Sequence, residues 1–377
     1  MWTATCEAEF YSKEVYVYGE PLKRRVVITG MGSVSPNGVG NAAFADAALS
    51  GRSGIRRVSR FDPSEIPVQI AGEVRDFDEL AWIDRRDRKH AGRVVPLAIA
   101  AADEALKDAG IDTTTLSVAE RQRFGMLFGS GGGAQEFTEE QYRLFFHQQF
   151  KQMSLFCIPA GVLGTLSSDV CIRFDLRGPS HVVTTGCTSS TDAMGYAVRQ
   201  IQGGRADWVL TGGADAPISL GIMKGFVLMK ILTDSWNEQP EKGSRPFSVD
   251  RDGFVLGEGA WIFVVETESS ARERGAPIYA EVLGYGSTCD AHHRVRLDES
   301  GVEPARAMGI ALQDAGLTSD DIDYVNLHGT STLLNDRIET RAIKHCFKEH
   351  AARIPMSSTK SMVGHPQGAS GAAGISA

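Results

Sequence analysis

Thr185-Gly186-Cys187-Thr188-Ser189-Ser190 stands between an apolar, β-branched run, His181 to Thr185, and a helix-compatible stretch, Asp192 to Gln202. Strand, tight turn and helix follow one another, and one cysteine falls on the turn. A thiolate at the first turn of a helix faces unpaired backbone N–H groups and the positive end of the macrodipole, which favour the charged sulfur. The same groups, the Cys187 N–H among them, can hold an oxyanion. A free thiol with a pKa of about 8.5 is only a few per cent ionised at neutral pH. The turn is therefore expected to raise the reactive fraction without a base nearby. A lone cysteine is equally an ordinary buried small residue, so the rest of the chain decides.

Working outward, Arg24 to Gly30 reads as a strand closed by Met31-Gly32, and apolar positions from Arg93 to Leu106 recur at helical spacing. Phe124 to Phe128 is a strand stopping at Gly129-Ser130-Gly131-Gly132-Gly133, and Ala206 to Thr211 is another ending at Gly212-Gly213. This alternation predicts an α/β fold with a largely parallel sheet. A second series repeats the order: strand Ile278 to Leu283, helix Pro304 to Ala315, strand Tyr324 to Leu327, strand Ile354 to Ser357. The chain therefore divides into an extension (1–23), a first half (24–275) and a duplicated second half (276–377) that stops before matching the first half's closing strands.

The chain is 377 residues long, 42% apolar, and carries 41 glycines, as suits an enzyme-sized α/β protein with many tight turns. Its 39 basic and 47 acidic residues give a net charge of −8, against general nucleic-acid binding. Cys6, Cys157, Cys171, Cys187, Cys289 and Cys346 form no C-x-x-C pair, so neither structural zinc nor a disulfide framework is indicated. Reduced thiols in a cytoplasmic setting are expected. No apolar run reaches the length of a membrane span, and Glu7, Glu9, Lys13 and Glu14 stand where a signal peptide would be apolar.

Three turns carry reactive groups: Cys187, His328-Gly329-Thr330-Ser331-Thr332, and Lys360-Ser361-Met362-Val363-Gly364-His365. Each follows a predicted strand, and in α/β sheets the carboxyl ends of the strands share the edge where ligands bind.

These residues resemble the β-ketoacyl-acyl carrier protein synthases, specifically the elongating branch of fatty acid and type II polyketide synthesis. The match starts at Val26-Val27-Ile28-Thr29-Gly30. It continues through Leu176-Arg177-Gly178-Pro179-Ser180, Ser244-Arg245-Pro246-Phe247, the run Asp250 to Gly259 and both histidine motifs. The resemblance implies a thiolase fold, two duplicated βα halves in a five-layered α-β-α-β-α arrangement, and a homodimer or a heterodimer with a related subunit. It implies acyl carrier protein as partner, with no cofactor and no metal. Cys187 would take the acyl chain, and His328 and His365 would stabilise the enolate left when malonyl-carrier loses carbon dioxide. Lys360 would order the His365 loop with Glu339. The initiating synthases have asparagine where His365 stands, thiolases use a second late cysteine, and the chain-length factor lacks the nucleophile, so Cys187, His328 and His365 point to an elongating enzyme.

Because the family's carrier is acidic, a local basic patch is expected, and Arg85, Arg86, Arg88, Lys89, Lys151 and Lys230 are its candidates. Phe226, Phe156 and Thr138 fall at family positions near the growing chain. By the same resemblance, a closing Gly-Phe-Gly-Gly loop with a second oxyanion donor would lie beyond Ala377, and Pro366-Gln367 replaces apolar residues and would stiffen the loop at His365.

Overall fold

A computed structural model describes residues 24–377. The proposed extension, residues 1–23, lies outside the described residues. The strands are β1 (Val26–Ser35), β2 (Gly38–Val39), β3 (Arg56–Arg57), β4 (Ile70–Ala71), β5 (Phe124–Gly129), β6 (Ser180–Val183), β7 (Trp208–Asp215), β8 (Gly259–Thr267), β9 (Ala280–Glu281), β10 (Val325–Asn326) and β11 (Met356–Ser357). The helices begin with α1 (Asn41–Leu49), α2 (Val94–Asp108), α3 (Val118–Gln122), α4 (Gln135–Phe146), α5 (Thr165–Phe174) and α6 (Ser189–Gln202). They continue with α7 (Leu220–Leu228), α8 (Glu268–Glu273), α9 (Val302–Ala315), α10 (Leu333–Phe347), α11 (Lys360–Val363) and α12 (Ser370–Ser376).

The main sheet runs β2-β1-β8-β7-β5-β6, with β9 also paired to β1. It is mixed rather than largely parallel: β5 is parallel to β6 and β7, but β8 is antiparallel to both β7 and β1. The antiparallel strand is the unbroken apolar run Ala260 to Val265, buried on both faces as a central strand requires. Two predicted stops are also overrun. β1 continues through Met31-Gly32, and β7 through Gly212-Gly213 to Asp215, so those glycines lie inside strands.

Their purpose is close approach. A Cβ on Gly32 would lie 1.9 Å from the Ala101 carbonyl oxygen, and one on Gly30 would lie 2.2 Å from that of Ala105, so α2 rests directly on β1. On the opposite face a Cβ on Gly129 would lie 2.2 Å from the Ser190 nitrogen, which brings the start of α6 onto the end of β5. Apolar clusters fill both faces, one built on α2 and α5, the other on α6 and α12.

The second half begins on the first sheet. Ala280–Glu281 pairs with β1, instead of opening a separate sheet as the repeat predicted. Further along, β10 and β11 form a parallel pair, packed under α9 and α10 around Leu327, Ile343, Phe347 and Ile354. The layers are α2/α5, the main sheet, α6/α12, the β10–β11 pair and α9/α10, which is the thiolase-type stacking. The predicted reactive turns follow β6, β10 and β11, so all three sit at carboxyl ends of parallel strands.

Candidate active site

Cys187 sits in the 3₁₀ turn Gly186–Thr188 that runs straight into α6, with Gly186 at φ 71° to make the reversal. The turn is fixed from within. The Thr185 N–H donates to the Ser189 Oγ at 3.0 Å, and that hydroxyl donates to the Gly186 carbonyl at 2.6 Å. Beneath it, buried Asp192 accepts from the hydroxyls flanking the cysteine, Thr185 at 2.5 Å and Thr188 at 2.9 Å, and from the Tyr285 hydroxyl. A Cβ on Gly195 would fall 2.4 Å from the Tyr285 ring, so only glycine at that point of α6 lets the tyrosine lie across the helix.

The expectation that the helix start alone activates the thiol needs correction. Cys187 is only half-buried at the surface, yet the protein round its sulfur makes desolvation dominate and pushes the thiol up; Lys360 pulls it down and Asp215 up. The sulfur instead has a partner: His365 Nε2 lies 3.1 Å from Sγ.

His365 is buried and held at both ends of its backbone, its N–H donating to the Val255 carbonyl at 2.7 Å and its carbonyl accepting from the Gly257 N–H at 3.0 Å. Pro366 does not displace the imidazole from the sulfur. Instead the turn after it places Gln367 at φ 44°, a strained value for a side-chain-bearing residue, and aims the Gln367 N–H at His365 Nδ1, 3.2 Å away. A backbone N–H can only donate, so Nδ1 accepts and the proton of the neutral ring sits on Nε2, facing the sulfur. His328 lies edge-on to His365, with ring centroids 5.4 Å apart and planes at 88°. Burial, with Lys360 adding to it, drives His328 well below the usual histidine range; burial first, then His328 and Lys360, does the same to His365. Both rings are neutral at pH 7.

Glu339 acts on the His328 loop directly, accepting from the His328 N–H at 2.6 Å and the Gly329 N–H at 2.7 Å. With both oxygens on backbone donors, its coupling to buried Lys360 runs through space. Burial lowers Lys360 to about 8 against the upward pull of Glu339, Cys187 and Asp336. The Lys360 carbonyl also accepts from the Ser244 hydroxyl at 2.6 Å, tying the Ser244-Arg245-Pro246-Phe247 motif to this loop.

Asp215, at the end of β7, went unnoticed in the sequence and organises the floor of the site. Fully buried, it accepts from the Ser130 hydroxyl (2.7 Å) and the N–H groups of Gly131 (2.7 Å), Gly132 (3.0 Å), Gly133 (3.2 Å) and Gly368 (2.6 Å). Burial pushes its carboxyl up, and these donors pull it back. One side chain thus joins the glycine loop after β5 to the loop carrying His365. The available signal was a carboxylate closing an apolar strand beside a Gly-Ser-Gly-Gly-Gly turn, a loop rich in unpaired N–H groups.

The outer residues are less gathered. Phe226 packs on Phe254 (5.6 Å between centroids), which packs on His365 (5.1 Å), so Phe226 reaches the site through one intervening ring. Phe156 lies 52% exposed against His90. Thr138 turns its hydroxyl back to the Ala134 carbonyl and faces Gly161. Arg85, Arg86, Lys89, Lys151 and Lys230 are exposed, but Arg88 is engaged with Glu79 and the Ala91 carbonyl and is not a free cation. The donor atoms of Cys187, His328 and His365 lie within 4.8 Å of one another, the one such cluster among the described residues. With its proton on Nε2, His365 presents a hydrogen-bond donor there and not the lone pair a metal needs.

No helix among the described residues is long and apolar enough to cross a membrane. Family models match most of the chain: "Beta-ketoacyl synthase, N-terminal domain" over residues 23–271 and "Beta-ketoacyl synthase, C-terminal domain" over residues 279–377. Among similar proteins, 3-oxoacyl-[acyl-carrier-protein] synthase 2 of Coxiella burnetii is 40% identical over 93% of this chain and 84% of its own length. A putative polyketide beta-ketoacyl synthase 1 of Streptomyces halstedii is 43% identical over 93% and 83%. A solved beta-ketoacyl synthase of Burkholderia phymatum superposes with a TM-score of 0.84 at 33% identity, covering 94% of this chain and 85% of that one. A type II polyketide ketosynthase, solved in complex with its acyl-carrier protein and bound to the hexaketide, gives 0.83 at 30% identity, with 94% and 85% covered. With two domain models spanning nearly all of it and relatives above 40% identity, the chain belongs to the beta-ketoacyl synthase family.

Proposed function

We propose that this protein catalyses the decarboxylating condensation of an acyl group on Cys187 with malonyl-acyl carrier protein, giving a 3-oxoacyl-carrier protein in fatty acid elongation. The observation that carries this reading is the meeting of one thiol and two neutral imidazoles, one of which has its proton fixed on the nitrogen facing the sulfur. Cys187 attacks the acyl thioester and keeps the acyl group while the carrier thiol leaves with a proton. Malonyl-carrier then binds, and as carbon dioxide departs the negative charge developing on the thioester oxygen is met by hydrogen bonds from His365 Nε2–H and from His328. Neutral donors suit this step, because they stabilise the enolate without protonating it. The enolate carbon attacks the acyl-Cys187 carbonyl, the Cys187 N–H helps hold the resulting oxyanion, and collapse returns the thiolate. Lys360 supplies a positive field to the same pocket, and Glu339 keeps the His328 loop in place.

A second reading, the ketosynthase subunit of a type II polyketide synthase, is supported by the Streptomyces relative at 43% identity, level with the 40–42% of the elongating synthases. In either case the acidic carrier would dock on Arg85, Arg86, Lys89, Lys151 and Lys230, with Phe226 nearest the growing chain. Among the described residues strand β6 is paired on one edge only, and Phe146 (76% exposed), Leu155 (86%) and Ile158 (74%) lie open in the segment between β5 and β6. Such an edge and such a patch support a dimer, with Phe156 and Thr138 completing the acyl pocket across it. A soluble, cytoplasmic enzyme is the setting we propose.

The test is an acyl-loading experiment. Incubation with acyl-carrier proteins is expected to add one acyl mass to the protein at Cys187, and subsequent malonyl-carrier to discharge it as a 3-oxoacyl-carrier. A folded sample that never acquires an acyl mass overturns the proposal, and the preferred acyl chain separates the two pathways.

A further expected outcome concerns pH. Lys360 is cationic below about 8 and loses its proton above it. The field assisting enolate formation is thus present at low pH and withdrawn as pH rises through that value. Malonyl-carrier decarboxylation, measured with acylation bypassed, is expected to be level well below that value and to fall as pH rises through about 8. In Lys360→Met the rate is lower and that alkaline limb is absent; a limb that persists in the variant assigns it to another group.

A further inference from the structure

Ser370 opens α12, and its side chain is buried. Its hydroxyl does not cap that helix, whose N-cap is Ala369 with no side-chain cap bond. Among the described residues its hydrogen-bond partner is His365 Nδ1, 2.9 Å away. Nδ1 therefore sits between two donors, the Gln367 N–H at 3.2 Å and the Ser370 hydroxyl at 2.9 Å. The backbone donor is long and depends on a residue held at φ 44°. The hydroxyl is shorter and comes from a different element, so it does not share that strain.

We infer that Ser370 is a positioning residue, whose hydroxyl, with the Gln367 N–H, holds the His365 proton on Nε2 and the ring in register with Cys187. The inference rests on the condensation chemistry proposed above. A donor aimed at Nδ1 stabilises the one tautomer in which Nε2 can give a hydrogen bond to the enolate oxygen. It also opposes protonation of the ring, because the imidazolium would place a second proton against two donors. The other groups facing His365 are Cys187 from the turn before α6, His328 from the loop after β10 and Lys360 from α11; Asp215 of β7 holds the adjoining Gly368 N–H. None of these donates to Nδ1, so the hydroxyl is not duplicated by a neighbouring side chain.

The test compares Ser370→Ala with Ser370→Thr, which keeps the hydroxyl. In protein carrying ¹⁵N-labelled histidine, with the His365 signal assigned by its loss in His365→Gln, the titration midpoint of His365 is expected to move upward in Ser370→Ala. Loss of one hydrogen bond to the ring corresponds to roughly 0.5–1 pH unit. The acid limb of malonyl-carrier decarboxylation is expected to move with it, and the rate at pH 7 to fall by roughly 2- to 10-fold. Ser370→Thr restores both. A midpoint and acid limb that stay unchanged in a folded Ser370→Ala protein overturn the inference, as does an equal shift in both variants. The titration needs no substrate. Failure of Cys187 to accept an acyl group would therefore remove the proposed function while leaving the role of Ser370 separately decided.

Discussion

Cys187→Ala is expected to abolish acyl loading and to lower condensation by roughly 10⁴-fold or more, the scale on which loss of a covalent nucleophile is felt. Decarboxylation of malonyl-carrier should survive, because the groups assigned to it are elsewhere: His328 and His365 keep their backbone anchors through Glu339, Val255 and Gly257. The reciprocal variant, His328→Ala, should still take an acyl group and should lose roughly 10²- to 10³-fold in decarboxylation, the cost of removing one preorganised donor. Intact-protein mass reads the first half-reaction and carbon dioxide release reads the second. If Cys187→Ala still condenses, the nucleophile has been misassigned; if both variants fail in both assays, the two half-reactions cannot be divided between thiol and imidazoles as proposed.

Asp215→Ala is expected to be the most damaging substitution that touches no reacting atom. It strips the acceptor from the N–H groups of Gly131, Gly132, Gly133 and Gly368 and from the Ser130 hydroxyl; Ser130, Gly133 and Gly368 are buried, Gly131 and Gly132 partly so. An unpaired buried donor costs about 1–3 kcal/mol, and several lose their acceptor together, so a fall in stability of about 3–5 kcal/mol is expected. Because Gly368 follows His365 closely, catalysis should fall with it. Asp215→Asn fits the same space but keeps a single acceptor oxygen, and its amide would face N–H donors; it should recover part of the stability and little of the activity. Thermal and denaturant unfolding of the two variants, set beside their decarboxylation rates, checks the ranking. An Asn variant as active as the parent would show that the carboxylate charge is dispensable.

The gathered core of the site was legible because its signals are local. A cysteine after a β-branched run, and histidines closing short apolar runs, each announce a strand end, and parallel strands bring such ends to one edge. What was not legible depends on partners far away in sequence. Asp215 takes its donors from residues more than eighty positions earlier and from Gly368, more than a hundred and fifty later. The strand direction of β8 depends on which neighbours it meets, since Ala260 to Val265 would read the same in a parallel strand. Gly32 reads as a turn residue until the Ala-rich face of α2 is seen lying on it and on Gly30. The thiol was misjudged for a related reason. Its helix-start setting is local, whereas the burial that outweighs it arises only in the fold, where His365, 178 positions later, lies on the sulfur.

Tyr285 belongs to the second half of the chain, yet its ring lies on Gly195 and its hydroxyl on Asp192, beneath the turn that carries the nucleophile. For protein engineering this sets a rule of exchange. A hybrid that takes its first half from this protein and its second from a relative must bring in a tyrosine to meet Gly195 and Asp192. A hybrid that keeps Tyr285 but imports α6 needs glycine and aspartate at those two positions. A crossover between residues 195 and 285 is therefore safe only when the three travel as one inherited unit, although ninety positions of sequence separate them.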